Sequence, residues 1–266
     1  MTSTLFDLAI QYQLDERGVA TITLNRPDIH NAFDDTVIAA LTNAFTHAAN
    51  DPAVRVVVLA ANGKSFCAGG DLNWMRRMAG YNYDENLQDS NALADMLRTL
   101  NFLPKPTIAR VQGAAYGGGV GLVACCDIAV ASSNSAFCLS EVKVGLIPAT
   151  ISPYVVQAIG QRAARRYFTT AELISANTAH VLGLVSELVE PKELEAHVAN
   201  IVTNLLRNGP NAIAEAKRLV LDIAGREIDA AMIADTSERI AQTRGSDEGR
   251  EGLSAFLEKR KPNWIQ

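Results

Sequence analysis

The chain has 266 residues, 48% of them hydrophobic and 20% charged, which is ample for a packed core and excludes disordered and fibrous classes. A net charge of −5 and a pI near 5.4 argue against a nucleic-acid partner, which calls for a basic balance. Mean hydropathy is +0.06, and apolar runs such as Arg55–Ala61 end far short of the roughly 18 residues a membrane helix needs, so no membrane partner is expected.

Met1–Asp7 has no basic region, apolar core or Arg-rich leader pattern. The cysteines Cys67, Cys125, Cys126 and Cys138 form no C-x-x-C pair, and the histidines lie far from metal-ligand spacing. They read as buried free thiols of a cytoplasmic protein without a structural zinc.

Gly18–Leu24 alternates in polarity and predicts a strand, which Arg26-Pro27 breaks. Thr36–Ala49 follows as a helix with Val37, Leu41, Ala44, Phe45 and Ala48 on one face. The β-branched run Arg55–Ala60 predicts a buried strand. Ser65-Phe-Cys-Ala-Gly-Gly-Asp71 then leads into a helix over Leu72–Met78, and Asp84–Leu103 predicts a long helix stopped by Pro104 and Pro106. The same grammar returns: a strand over Thr107–Gln112, a glycine-rich loop, a short helix over Val120–Cys126, a strand over Asp127–Ala131 and another over Ser135–Leu139. Recurrence of strand, glycine turn and helix predicts stacked ββα units rather than a sandwich. Beyond Pro148, helices are expected over Tyr154–Phe168, Glu172–Leu182, Glu193–Leu206, Asn211–Ala224, Asp229–Thr243 and Glu248–Lys259, with one strand over Leu184–Val189. The helical end of the chain reads as a lid or assembly layer.

Two glycine-rich turns open helices, Phe66–Asp71 and Gly113–Gly121. Unpaired N–H groups at such turns point outward, with the positive end of a helix dipole behind them. Two facing turns give two donors to one oxygen, the arrangement of an oxyanion hole. Close helix–strand packing is the alternative for either turn alone. Gly119-Val-Gly121-Leu-Val-Ala124 also fits a dinucleotide fingerprint, but Cys125-Cys126-Asp127 cuts its helix short and the unit lies mid-chain. Glu141, among apolar neighbours, is the candidate acid/base, since burial raises a carboxyl pKa toward neutrality. A pair with Lys143, or a cap on the next turn, is the competing reading. His47, Asp51 and Ser65 do not form a hydrolytic triad, because Ser65 lies on no G-x-S-x-G elbow.

In this order, Asn25-Arg-Pro27, Ser65–Asp71, Gln112-Gly-Ala-Ala-Tyr-Gly-Gly-Gly119, Cys126-Asp127, Glu141–Pro148 and Phe256-Leu-Glu-Lys-Arg-Lys-Pro262 resemble the crotonase (enoyl-CoA hydratase/isomerase) superfamily. The resemblance covers essentially the whole chain. It implies an α/β fold, a spiral of repeated ββα units over residues 1–200 with an acyl-CoA site, and a helical trimerisation region over 201–266. It implies a homotrimer or a hexamer made of two trimers, acting on an acyl-CoA thioester, with no cofactor beyond the CoA carried by the substrate.

Carried over by position, the oxyanion donors are the N–H groups of Ala68 and Gly118, and Glu141 is the acid/base. Asp28, His30 and Ala32, with Ala68, Gly69, Gly70, Asp71, Leu72, Gly118 and Gly121, line the substrate and CoA. Phe256 and Lys259 reach CoA from a neighbouring subunit. The pattern departs at Gly121, where simple hydratases of the family carry a second glutamate.

Asp71–Met78, Gly117–Leu122 and Gly145–Tyr154 resemble the bacterial methylglutaconyl-CoA and isohexenylglutaconyl-CoA hydratases of leucine and terpene breakdown. Their substrates carry a second carboxylate. That carboxylate is expected to orient the attacking water in place of the missing glutamate, in room left by Gly121, with Arg76, Arg77 or Lys143 as its cation. A Δ3,Δ2-enoyl-CoA isomerase with one glutamate, a simple enoyl-CoA hydratase, and a non-catalytic acyl-CoA- or RNA-binding protein are the alternatives.

Overall fold

The computed structural model describes residues 8–265; Met1–Asp7, with its reading as leaderless, lies outside the described residues. The large sheet has the order β1 (Ile10–Leu14), β2 (Val19–Leu24), β3 (Val56–Ala61), β4 (Thr107–Val111), β6 (Ile128–Ser132), β9 (Glu187–Val189), and the small one β5 (Ala115–Tyr116), β7 (Ala136–Cys138), β8 (Ile174–Ser175). β1 (Ile10–Leu14) runs antiparallel to β2 (Val19–Leu24), and the remaining neighbours in the large sheet are parallel. β3 (Val56–Ala61) is buried at every position, as a central parallel strand must be when both faces are covered. Its alternate residues serve two cores. Val57, Leu59 and Ala61 face the main core, and Val56 and Val58 face a smaller one closed by Leu194, Val198 and Val202 of α7 (Leu194–Leu206).

The expected ββα grammar is present. β4 (Thr107–Val111) lies in the large sheet, β5 (Ala115–Tyr116) in the small one, and α4 (Gly118–Cys125) follows. β6 (Ile128–Ser132), β7 (Ala136–Cys138) and α5 (Ser152–Thr170) repeat that order. After β3 the chain makes two isolated one-residue bridges, Cys67 to Ala115 and Gly70 to Phe33, before α2 (Leu72–Met78) and α3 (Tyr83–Asn101). The Cys67–Ala115 bridge lays the two glycine turns side by side. α1 (Asp35–Asn50) buries Val37, Leu41, Ala44, Phe45 and Ala48, the face expected from the sequence.

Some boundaries differ. β1 is a strand that the expected elements lack. The helix expected from Glu172 starts at Ala176 as α6 (Ala176–Leu182), because β8 (Ile174–Ser175) pairs with β7 and Ser175 caps the helix through the Thr178 N–H. The strand expected over Leu184–Val189 shortens to β9 (Glu187–Val189). Residue 200 falls inside α7, one continuous helix. α8 (Pro210–Ile223), α9 (Ala230–Gly245) and α10 (Asp247–Leu257) complete the chain and leave much apolar surface uncovered, with Ile228, Phe256 and Leu257 each more than three-quarters exposed. No helix among the described residues is long and apolar enough to cross a membrane. No cluster of metal-ligating side chains occurs among them.

Candidate active site

Two short backbone contacts build the first turn. The Phe33 N–H donates to Gly69 O at 2.9 Å, and the Asp71 N–H donates to Phe33 O at 3.0 Å. This parallel bridge consumes groups on either side of Gly70 and turns the Gly70 N–H away from residue 33. The Asp71 carboxylate, buried, caps α2 by accepting from the Asn73 and Trp74 N–H groups. Arg26 spans the Asp71 and Asp34 carboxylates, at 3.5 and 3.1 Å, so the caps of α2 and α1 share one guanidinium.

The second turn is set by Gly117, whose φ of +51° suits glycine. Its N–H donates to Cys138 O at 2.9 Å, and a Cβ there would lie 3.1 Å from Glu141 Oε1. Glu141 therefore rests directly on the backbone that starts α4. Among the described residues, no hydrogen bond is made by the N–H of Gly118 or of Gly70. Both stand in glycine turns joined by the Cys67–Ala115 bridge. Unpaired donors of this kind await an acceptor.

Ala68 is different. Its N–H donates to His30 O at 2.9 Å. The donor assigned to Ala68 from the sequence is already used, and Gly70 offers the free N–H of that turn. The physical reason is the chain reversal at His30 and Asn31, whose φ values of +55° and +56° aim the His30 carbonyl at residue 68. The buried Asn31 side chain pins this reversal, donating to Asn62 O and Ser65 O and accepting from the Arg26 N–H.

Burial pushes the Glu141 carboxyl above the usual glutamate range, opposed only in part by a hydrogen bond from its own N–H. Its Oε2 is buried without a hydrogen-bond partner. Glu141 makes no ion pair with Lys143 among the described residues, so the pairing alternative fails. A carboxyl held in this way is ready to exchange a proton with a group placed against it.

Gly121, one helical turn beyond Gly117, is not the open space expected. A Cβ there would collide with Ile151 Cγ2, would sit 3.0 Å from Ile151 Cβ and 3.3 Å from Leu97 Cδ2. The buried side chains of Ile151 and Leu97 fill the volume that glycine vacates.

The remaining expected residues divide. Asp28 and His30 lie on the exposed loop beside the first turn, Ala32 is buried beneath it, and Leu72 is exposed at the start of α2. The His30 Nδ1 lies 3.1 Å from Ser65 Oγ. Phe256 and Lys259 belong to the end of the chain, and no hydrogen bond or ion pair among the described residues joins them to Glu141 or to the glycine turns. Phe33 and Ile151 carry no signal in the sequence that marks them as site residues, and the sequence places Trp74 only at the start of a pocket wall over Trp74–Leu103. Only their contacts across the fold reveal them.

The enoyl-CoA hydratase/isomerase family model matches residues 15–266. The chain belongs to that family. A crotonyl-CoA hydratase of Syntrophomonas wolfei is 32% identical, over 94% of this chain and 95% of that protein. The structure of an enoyl-CoA hydratase from Shewanella pealeana is 46% identical with a TM-score of 0.93, covering 96% of each chain. One from Mycobacterium smegmatis is 38% identical with a TM-score of 0.92, covering 98% of this chain and all of that one. The fold is the crotonase fold, as the sequence motifs implied. The protein is an enzyme of the enoyl-CoA hydratase type, a lyase of acyl-CoA thioesters.

Proposed function

We propose that the enzyme hydrates a branched 2-enoyl-CoA that carries a second carboxylate, with 3-methylglutaconyl-CoA or isohexenylglutaconyl-CoA as the substrate. The reading rests on one observation above all: Glu141 has an unpartnered buried oxygen, and Gly121, one turn along α4 from the Gly117 that Glu141 rests on, carries no acid and is packed against Ile151. The Gly70 and Gly118 N–H groups receive the thioester oxygen and stabilise the enolate that forms when the β-carbon is attacked. Two preorganised donors are worth several kcal/mol there, on the order of 3 for each. Glu141 delivers a proton to the α-carbon and is restored by the proton that leaves the attacking water, so hydroxyl and hydrogen are both accounted for. A second acid on the protein is missing, so the substrate's distal carboxylate orients the water.

That carboxylate needs a cation. Arg77 is paired with Asp35, and Arg76 is bound to Asn73. Lys143, exposed and two residues from Glu141, makes no ion pair among the described residues and is the cation best placed by sequence. The working assembly is a homotrimer or a hexamer, which supplies Phe256 and Lys259 to a neighbour's CoA and covers the apolar surface of α8–α10.

Incubation with 3-methylglutaconyl-CoA in ¹⁸O-labelled water tests the reading. Label at carbon 3, absent with Glu141→Gln and far slower with crotonyl-CoA, is the expected result. Equal rates on crotonyl-CoA would remove the role of the distal carboxylate. A second reading, Δ3,Δ2-enoyl-CoA isomerisation, is favoured by the same lone carboxyl, since one base suffices to move a proton between carbons. Conversion of a 3-enoyl-CoA without label uptake would select it.

A further inference from the structure

The two donor turns belong to different ββα units, joined by the Cys67–Ala115 bridge, where the Tyr116 N–H donates to Cys67 O at 2.8 Å. Gly70 and Gly118 each lie three residues beyond that bridge, and side chains fill the space between them. The Phe33 ring packs directly against Gly118: a Cβ there would collide with Phe33 Cζ and lie 3.1 and 3.3 Å from its two Cε atoms. The backbone of the same residue carries the bridge to the Gly70 turn. Trp74 packs under Gly70, its Cε3 and Cζ3 each 3.4 Å from a Cβ built there. The two rings meet at 6.2 Å between centroids with a 49° tilt. Phe33 is 1% exposed and Trp74 5%. The far edge of Trp74 is tied down by its Nε1–H, which donates to Asp89 Oδ1 of α3 at 3.1 Å.

A continuous line of contact thus runs from Gly70 through Trp74 and Phe33 to Gly118. We propose that Phe33 and Trp74 are positioning residues whose ring pair sets the spacing of the two N–H donors. The inference rests on the reading of Gly70 and Gly118 as oxyanion donors. Aromatic rings suit the task because they are rigid and have few rotamers to lose. A change of well under 1 Å between donors matters, because hydrogen-bond strength to an oxyanion falls steeply with distance and angle. Neither ring is a catalytic residue; each acts through a glycine.

The test uses Phe33→Leu, Trp74→Phe and Asp89→Asn. Leucine keeps an apolar filler but loses the ring, phenylalanine keeps a ring but loses the tether, and asparagine keeps an acceptor for the indole. Carbonyl polarisation is read as the infrared C=O shift of ¹³C-labelled butyryl-CoA, a saturated thioester that cannot be hydrated. In the wild type, binding lowers the stretch. Phe33→Leu and Trp74→Phe lose much of that shift and lose roughly 10- to 100-fold in kcat, with KM changed by less than about 3-fold, because the lost interaction strengthens in the transition state. Asp89→Asn retains both.

A full shift and full kcat in Phe33→Leu overturn the spacer role alone. So does loss of kcat and KM in proportion to a fall in melting temperature, which marks general loosening. A wild-type enzyme that turns its substrate over without any carbonyl shift overturns the oxyanion reading underneath, and the spacer role with it.

Discussion

Ile151 stands where a side chain on residue 121 would go. A Cβ on Gly121 would meet Ile151 at its Cγ2 and Cβ, with Leu97 on the other side. Glycine at 121 is therefore a packing requirement, and the apolar side chain packed against that position is Ile151. Side chains on a helix lean toward its N-terminus, so an acid at 121 would reach back toward the Gly117 end of α4, where Glu141 rests. The position suits a second acid only if Ile151 gives way.

Gly121→Ala separates the two effects. Alanine is the better helix former by about 1 kcal/mol, while overpacking a filled core costs roughly 1–3 kcal/mol. The expected net result is a lower denaturation midpoint, and adding Ile151→Ala, which removes the colliding Cγ2 that valine would keep, should cost less than the sum of the two single changes. Gly121→Glu should behave in the same way, and the double variant with Ile151→Ala should gain hydration of crotonyl-CoA. A Gly121→Ala protein more stable than wild type would show that Ile151 does not fill the site.

Glu141→Gln should lose roughly 10²- to 10⁴-fold in turnover, the ordinary contribution of a positioned acid/base. Stability should move the other way. Because burial raises the carboxyl pKa, the folded state binds this proton more tightly than the unfolded chain does. Its contribution is fully present below the unfolded value and is lost as pH rises through the raised folded value. At neutral pH the buried charge is a burden that glutamine removes. Thermal melts at neutral pH should place the variant at or above wild type, with the difference vanishing in acid. The same shift places the acid limb of α-proton exchange above the ordinary glutamate range, since abstraction needs the carboxylate. An acid limb at the ordinary value would show that Glu141 is solvated in the working enzyme.

Much of this was legible in the chain because its signals are local. The β-branched run at Val56–Val58 reads as a buried strand, the Pro104 and Pro106 stop reads as the end of α3, and the two glycine turns read as helix entries. What was not legible depends on pairing across the fold. Whether Ala68 or Gly70 keeps a free N–H is decided by His30 and Phe33, which lie nearly 40 residues earlier in the chain. Whether Gly121 marks space or contact is decided by Ile151, thirty residues later. β8 is two residues long and exists only because β7 offers it an edge. In each case the deciding partner is distant in sequence, where periodicity carries no information.

The Lys217–Asp127 pair should hold α8 to the core. Lys217 Nζ lies 2.8 Å from Asp127 Oδ2 and donates to Lys105 O at 3.2 Å. The same carboxylate oxygen accepts from the Thr107 N–H and hydroxyl at 2.8 and 2.9 Å. Lys217→Met keeps the apolar stem and removes the charge. The expected effect is faster amide exchange along α8, with little change in β3 and β4. Uniform acceleration through the sheet would mean that the pair supports the whole core.

Arg26 links two helix caps, and its loss should show in acid. Burial alone would push the Asp34 carboxyl up, but hydrogen bonds from the Thr36 hydroxyl and the Val37 N–H, with the Arg26 guanidinium, hold it below the usual range. A lowered folded pKa contributes stability that is present above the unfolded value and is lost as pH falls through the folded one. Arg26→Met removes the guanidinium and leaves both caps in place. The variant should lose about 1.5–3 kcal/mol at neutral pH, the range for hydrogen bonds to charged groups. Its acid-unfolding midpoint should move to higher pH, because Asp34 then takes up its proton earlier. The 3-10 turn from Pro27 to Ile29 should also exchange amides faster, since Arg26 Nη1 donates to Ala32 O at 3.1 Å and closes the segment that follows it. An acid midpoint unchanged from wild type would mean that the caps alone hold the Asp34 carboxylate, and that Arg26 serves only to close the loop.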